Sequence, residues 1–335
     1  MAGLVQPETI LLYALIPLSA FVVTFLSTPR IAKEMLAIRK TGIDIHKTSR
    51  PEIPEMCGIA IMVGTIVSIL LAVLIFPDRV VEFAAFLLGP IIAGIVGIVD
   101  DLRPLNPRLK PALTALAGIP ILVLGVYSPH LDLPFIGAAR LTLIYPIMVL
   151  FAIAVPSNAV NMMDVFNGAM PATCSLISVA AAVCLVISGR VEEAVLPLAL
   201  LGALLAFYYY NRYPAKVFAG DAGSLFTGAA LGSIAVIGRI EVAAVVAMMP
   251  HIMNAFYGLF SVGRLYEHRE VKARPTMLQQ DGVLEATSEK SAPVTLTRLI
   301  LAEGPLNEKK IVDVMVLLTA FSAILAVLTQ LFVLW

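Results

Sequence analysis

Charge is scarce in this chain: 14% of its 335 residues are Asp, Glu, Lys or Arg and 59% are apolar, a balance that excludes the soluble globular and disordered classes. Cysteine is rarer still. Cys57, Cys174 and Cys184 are the only three, and the last two share one apolar run, so no disulfide framework is expected. The four histidines, His46, His130, His251 and His268, are too scattered for a zinc site. Net charge is zero, so the total says nothing about a nucleic-acid partner, and none is expected for a chain of this composition. Internal repeats and low-complexity tracts are absent. A basic region is missing from Met1 to Glu8, so Leu11 to Ser27 reads as a first membrane span rather than a cleaved signal.

What the chain has instead is hydrocarbon. A bilayer core of about 30 Å takes roughly 20 apolar residues as helix, and only closed hydrogen-bonded structures cross it. Ten runs fit: 9–28, 58–76, 80–99, 111–127, 141–160, 171–188, 191–210, 224–238, 242–262 and 311–333. The expectation is an all-α, multi-pass integral membrane protein, a single polytopic domain over 1–335. With the N-terminus outside, one side collects nineteen lysines and arginines and the other keeps four, Arg79, Arg140, Arg190 and Arg239, together the 23 of the composition. The positive-inside rule then puts both termini outside and the charged loops in the cytoplasm. Outer connections such as "FPDRV" and "GRVEE" are bare turns. The cytoplasmic mass lies in 28–58, 100–110, 158–170, 211–224 and the recognition loop 264–310. In that last loop "TMLQQDGVLEAT" signals a hairpin at Asp281-Gly282, and "VTLTRLILAEG" reads as an amphipathic helix on the membrane surface.

Three polar stretches stand out. Asp100 and Asp101 end the third span, where carboxylates oppose the helix macrodipole; they are either a solvated helix end or a site for a cation. In "NAVNMMDVFNG", Asn158, Asn161 and Asp164 recur at i, i+3, i+6 and share one helix face. That face is either a hydrogen-bonded helix seam or a functional site, since ionisable residues at membrane depth are functional suspects. In "VFAGDAGSLFTG", Asp221 sits between glycines at the opening of a span, where unpaired N–H groups favour an anion. An ordinary helix cap is the competing reading for Asp221. All three stretches fall on the same expected membrane face, near Lys and Arg. Magnesium binds through one or two carboxylates plus substrate phosphates, so the residues point to phosphoryl transfer at the inner membrane surface.

These residues resemble the polyprenyl-phosphate sugar-1-phosphate transferases, the family that includes the eukaryotic and archaeal UDP-GlcNAc:dolichyl-phosphate GlcNAc-1-phosphate transferases. The likeness is carried, in family order, by "KTSRPEIPEMCG", "GIVDDLRPLNPRLK", "NAVNMMDVFNG", "NRYPAKVFAGDAGSLFTG", "MPHIMNAFY" and "EGPLNEK". It implies that UDP-GlcNAc reacts with polyprenyl or dolichyl phosphate in the bilayer, with magnesium or manganese as cofactor, giving GlcNAc-diphosphate-polyprenol and UMP. This is the first step of lipid-linked glycan assembly. By the resemblance Asn161 and Asp221 are the metal ligands, Asp100 and Asp101 the essential acidic pair, and Lys110 the lysine that holds the diphosphate. Phe218 stacks on uracil, Asn167 lies beside that base, Glu55 is a site glutamate and Arg269, next to His268, recognises the GlcNAc group. Asp164 is then a pocket carboxylate between the metal and uridine residues. Members that transfer the muramoyl-pentapeptide phosphate carry a histidine-rich motif where only His268 and Arg269 stand here, which favours GlcNAc. Pro104 replaces a polar residue of the eukaryotic enzymes, so no contact is assigned there.

A phosphate monoester has its second pKa near about 6, so the lipid phosphate is already mostly dianionic at neutral pH and direct displacement is the simpler route. Asp100 would position that acceptor or take its residual proton, and Asp101 would support the lysine or metal. Competing readings are another UDP-sugar donor and, from a different class, an ion-coupled transporter, which would show paired repeats and mid-membrane polar residues. The short loops suggest an archaeal plasma membrane. A homodimer is compatible with the sequence.

Overall fold

The computed structural model of the protein describes residues 7–262 and 273–335. It is mainly helical. In chain order run α1 (Pro7–Ala37), β1 (Thr41–Ile43), β2 (Glu52–Pro54), α2 (Ile59–Ile75), α3 (Val80–Leu102), α4 (Leu109–Ala115), α5 (Ile119–Val123), β3 (His130–Leu133) and β4 (Gly137–Arg140). There follow α6 (Tyr145–Met163), α7 (Ala169–Ile187), α8 (Val195–Asn211), α9 (Gly220–Ile237), α10 (Glu241–Ala247), α11 (Met249–Val262), β5 (Thr276–Leu278), β6 (Leu284–Ala286), α12 (Leu296–Ile300) and α13 (Glu308–Val333).

Among the described residues six helices are long and apolar enough to cross a membrane: Leu12–Ala37, Pro77–Leu102, Tyr145–Met163, Ala169–Ile187, Gly220–Ile237 and Glu308–Val333. The pair α10 and α11, bent by 68° at their junction, makes a seventh if it counts as one span. Three shorter apolar helices, Ile59–Ile75, Leu109–Val123 and Val195–Asn211, lie where three more of the ten runs were expected. At 1.5 Å per residue, 17 residues rise about 25 Å, short of a full hydrocarbon core. Leucine, isoleucine, valine and phenylalanine side chains cover the outside of the bundle, as lipid contact requires, so this is an integral membrane protein.

Helix α9 is the axis. Every residue from Ala222 to Ile237 is buried, and α3 and α6 flank it. Small residues allow this, because helices in hydrocarbon associate through close backbone packing. A Cβ on Gly97 of α3 would stand 2.3 Å from the Asp221 carbonyl oxygen, and one on Gly228 of α9 would stand 2.4 Å from the Pro156 oxygen of α6. The contact at Gly97 brings the last turn of α3, with Asp100 and Asp101, against the first turn of α9.

Three antiparallel hairpins decorate the bundle. β1 and β2 pair with Thr41 opposite Pro54. The chain leaving β2 then zips onto the segment before α9: Phe218 donates its N–H to the Pro54 oxygen (2.8 Å), and Cys57 donates to the Phe218 oxygen (2.9 Å). β3 and β4 form a hairpin at 130–140, between the fourth and fifth expected spans. β5 and β6 pair across the Asp281-Gly282 turn, with Gly282 in the left-handed region (φ 82°). The surface amphipathic helix expected next is not what forms. α12 has five residues, Thr295 caps it by accepting the Arg298 N–H, and Leu301 beyond it is buried with Met163, Phe166 and Ile311. Leu296 and Ile300 pack on that same small core, while Leu299 stays exposed on the other side of this single short turn.

Candidate active site

The last turn of α3, the start of α4, the end of α6 and the first turn of α9 meet around the ammonium group of Lys110. Its Nζ donates to Asp100 Oδ2 (2.9 Å), Asp221 Oδ2 (2.5 Å) and Asn161 Oδ1 (3.3 Å). Asn161 in turn donates through Nδ2 to Asp221 Oδ1 (2.6 Å) and Ser224 Oγ (2.9 Å). Three hard oxygen donors from three helices therefore converge on one cation position. Buried charges are tolerable only when paired and hydrogen-bonded, and here one ammonium is shared between two carboxylates.

The two adjacent aspartates do different things. Asp100 is buried behind Lys110: Oδ2 takes the ammonium and Oδ1 accepts the Leu105 N–H (2.5 Å). Asp101 spans the helix start opposite, accepting the N–H groups of Asp221 and Ala222 at 3.0 Å each. A carboxylate there satisfies two of the four N–H groups a helix start leaves open and complements its dipole. Asp221 is accordingly not the cap of α9. Gly220, at φ 68°, makes the turn, and a side chain on it would meet Asp101 Oδ2 at 2.7 Å. Lys40 donates to the Asp101 carbonyl (2.5 Å) and pairs with Glu55 (3.2 Å).

The polar face of α6 divides. Asn158 is a seam residue, donating to Thr114 Oγ1 (2.9 Å) and to the Ala154 oxygen (2.8 Å). Asn161 and Asp164 belong to the site. They line a cleft of about 500 Å³, large enough for a drug-sized ligand, together with Lys110, Asp221, Ser224, Glu55, Phe218 and Asn167. The Phe218 ring is half-buried and packs beside Gly42 near Glu55 Oε1. The Asp164 carboxyl is pushed up to about 7 by burial, with the charges of Asp221 and Asp101 adding to it. His268 and Arg269 lie outside the described residues.

The same cleft contains groups to which sequence reasoning gave no role. Asp44, His46 and Arg274 line it, and Glu308 stands behind Asn167. His46 packs against Phe166 at 4.6 Å between ring centroids, and burial pushes its imidazole down to about 4 despite Asp44 nearby. Ligand atoms of Asp44, His46 and Glu308 lie within 4.8 Å of one another, but the Lys47 ammonium already bridges both carboxylates. The stretches "KTSRPEIPEMCG" and "EGPLNEK" hold Lys47 and Glu308. An Asn-Glu pair opening an apolar run was the one local sign, a helix start, and Asn307 does cap α13.

Residues 83–239 match the sequence profile of glycosyl transferase family 4. The chain is 27% identical over 330 residues to a protein of Saccharolobus solfataricus provisionally named a UDP-N-acetylglucosamine–dolichyl-phosphate N-acetylglucosaminephosphotransferase, covering 93% of this chain and 95% of that relative. It is 30% identical over 292 residues to a provisionally named glycosyltransferase of Methanocaldococcus jannaschii, covering 87% and 88%. It is 32% identical over 294 residues to the phospho-N-acetylmuramoyl-pentapeptide-transferase of Citrifermentans bemidjiense, covering 77% and 80%. With likeness running the length of the bundle, the chain belongs to glycosyl transferase family 4, the polyprenyl-phosphate sugar-phosphate transferases.

Proposed function

We propose that the protein transfers GlcNAc-1-phosphate from UDP-GlcNAc to a polyprenyl phosphate of the dolichyl type, releasing UMP, at the cytoplasmic face of an archaeal plasma membrane. The observation that carries this reading is the convergence of Asp100, Asn161 and Asp221 on Lys110, which lines a cleft that also holds Phe218 and Asn167. The names of the Saccharolobus and Sulfolobus acidocaldarius relatives support the donor and the acceptor. Ten spans with both termini outside remain the topology we favour, since they put the charged loops on one side.

The reaction is one displacement. An oxygen of the lipid phosphate forms a bond to the β-phosphorus of UDP-GlcNAc, and the bond from that phosphorus to the bridging oxygen breaks, leaving on UMP. Little covalent chemistry falls to the protein, so catalysis is positioning and charge stabilisation. Lys110 is a point charge for the diphosphate, free to turn from Asp221 and Asn161 to substrate oxygens while Asp100 holds it from behind. Asp100 acts on the substrate through Lys110, which it holds from behind. Asp101 orients Asp221 by holding the start of α9. Phe218 offers a ring face to the uracil and Glu55 a carboxylate at the same end of β2. Arg269 and His268 are proposed to meet the sugar.

The oxygen donors fit a divalent cation, because they already surround an ammonium at 2.5–3.3 Å and magnesium takes hard oxygen ligands. Asn161 and Asp221 would hold it, with Asp164 as a second carboxylate in the cleft. Bound there, magnesium or manganese supplies neutralisation of the diphosphate charge.

A donor panel tests the proposal. Purified protein is given a short polyprenyl phosphate with UDP-GlcNAc, UDP-GalNAc or UDP-MurNAc-pentapeptide, with magnesium or a chelator. Magnesium-dependent lipid product with UDP-GlcNAc is expected. Product with the muramoyl donor alone would overturn the choice of sugar, and that outcome is weighted by the 32% identity to a muramoyl-pentapeptide transferase.

A further inference from the structure

Asn167 sits in the turn between α6 and α7 and is held from two directions by residues remote in sequence. Its backbone N–H donates to Glu308 Oε1 (2.9 Å), and its side-chain Nδ2 donates to Asp44 Oδ2 (3.0 Å). Asp44 comes from the β1–β2 hairpin and Glu308 from the first turn of α13. Lys47 joins them, donating to Asp44 Oδ2 and to Glu308 Oε2 (3.1 Å). Asp44 and Glu308 are each 3% exposed, so their charges are desolvated and depend on that ammonium.

This arrangement settles which way the Asn167 amide points. An ionised carboxylate only accepts hydrogen bonds, so the nitrogen of the amide must face Asp44 and the oxygen must face away. Asn167 lines the cleft, and its Oδ1 receives no hydrogen bond from the described residues. The cleft is therefore offered an acceptor. Without Lys47 the Asp44 and Glu308 carboxylates would repel each other, and Asp44 would no longer be held where the Asn167 amide nitrogen reaches it. The orientation of Asn167 would then be lost.

We propose that Asp44, Lys47 and Glu308 are positioning residues that lock Asn167 with its oxygen toward the cleft, and thereby make the nucleotide site select a base edge carrying an N–H donor, as in uracil, over one carrying an acceptor, as in cytosine. This rests on the nucleotide reading given above. A site built to meet a specific hydrogen-bonding edge rejects the wrong one through the groups it leaves unpaired.

The test uses the full chain in detergent, with UMP and CMP titrated calorimetrically against wild type, Lys47→Met, Lys47→Arg and Asp44→Asn, and kinetics with the UDP-sugar beside it. Wild type is expected to prefer UMP. Lys47→Met and Asp44→Asn lower that preference by about tenfold or more and raise KM for the UDP-sugar, while kcat changes less than about threefold. Lys47→Arg, which keeps the cation, restores most of the preference. If Lys47→Met does not fold, Asp44→Asn, equal in shape to the native residue, carries the test alone. A UMP preference undiminished in Asp44→Asn overturns the clamp and leaves the nucleotide reading standing. Wild type with no preference for UMP overturns both.

Discussion

Replacing Lys110 by Met removes the one cation that the described residues place between Asp100 and Asp221. The lysine side chain is 7% exposed, Asp100 5% and Asp221 26%, so water can compensate Asp221 only in part and Asp100 hardly at all. Removing one partner of a buried ion pair costs about 3–5 kcal/mol, because a desolvated charge is stranded. Unfolding entropy of about 2.1 cal/mol/K per residue gives roughly 0.7 kcal/mol/K for 335 residues, so Tm should fall by about 4–7 °C. The vacated position is ringed by carboxylate and amide oxygens. Magnesium should therefore raise the Tm of Lys110→Met more than that of wild type, by several degrees at saturating ion, without restoring transfer activity. Thermal unfolding in detergent, with and without magnesium, reads both effects. A variant that melts with wild type and ignores magnesium would refute the claim that this cluster is organised around a cation.

Further predictions follow from particular contacts. Asp101→Ala leaves two N–H groups of α9 open and should cost about 1–2 kcal/mol with loss of activity, while Asp101→Asn, which keeps one acceptor, should lose less of both; equal losses would contradict the capping role. Gly97→Ala drives a methyl group to 2.3 Å from the Asp221 oxygen and should cost about 3 kcal/mol or separate α3 from α9, so a stable, active variant would disprove the close packing. His46 is held neutral, with its pKa near 4 when folded against about 6.5 unfolded. The unfolded chain binds the proton more readily, so this contribution is whole above about pH 6.5 and is lost as pH falls toward 4, by up to about 3 kcal/mol. His46→Gln should flatten the Tm profile in that window, and an unchanged slope would show that other groups set it.

How much of this could be read from the chain alone depended on whether the signal was local. Apolar runs of membrane length are local, and so are Asp221 between glycines, the Asn161 face and the acidic pair. Their meeting was inferred only from a shared membrane side, and the bundle brings them together because Gly97 and Gly228 let three helices touch. The division of labour between Asp100 and Asp101 was not legible. It depends on which helix start lies opposite, 120 residues away in sequence. Asp44, Lys47 and Glu308 were missed for the same reason, since each reads as a solvated charge until the fold joins Lys47 to Glu308, 261 positions further along the chain. The hairpin at 41–54 has no Asn-Gly or Asp-Gly turn to announce it, whereas Asp281-Gly282 does. The apolar spacing of "VTLTRLILAEG" is real, yet the small core of Met163, Phe166 and Ile311 uses it in place of lipid.

The proposed reaction moves the sugar together with its phosphate. Donor labelled with ³²P at the β-phosphate of UDP-GlcNAc, incubated with short polyprenyl phosphate, magnesium and purified protein, tests it most directly. Label recovered in the lipid with stoichiometric UMP, absent in Asp221→Ala, is the predicted result. Label retained in released UDP would mean that the bond to the sugar is the one broken, and would contradict the account.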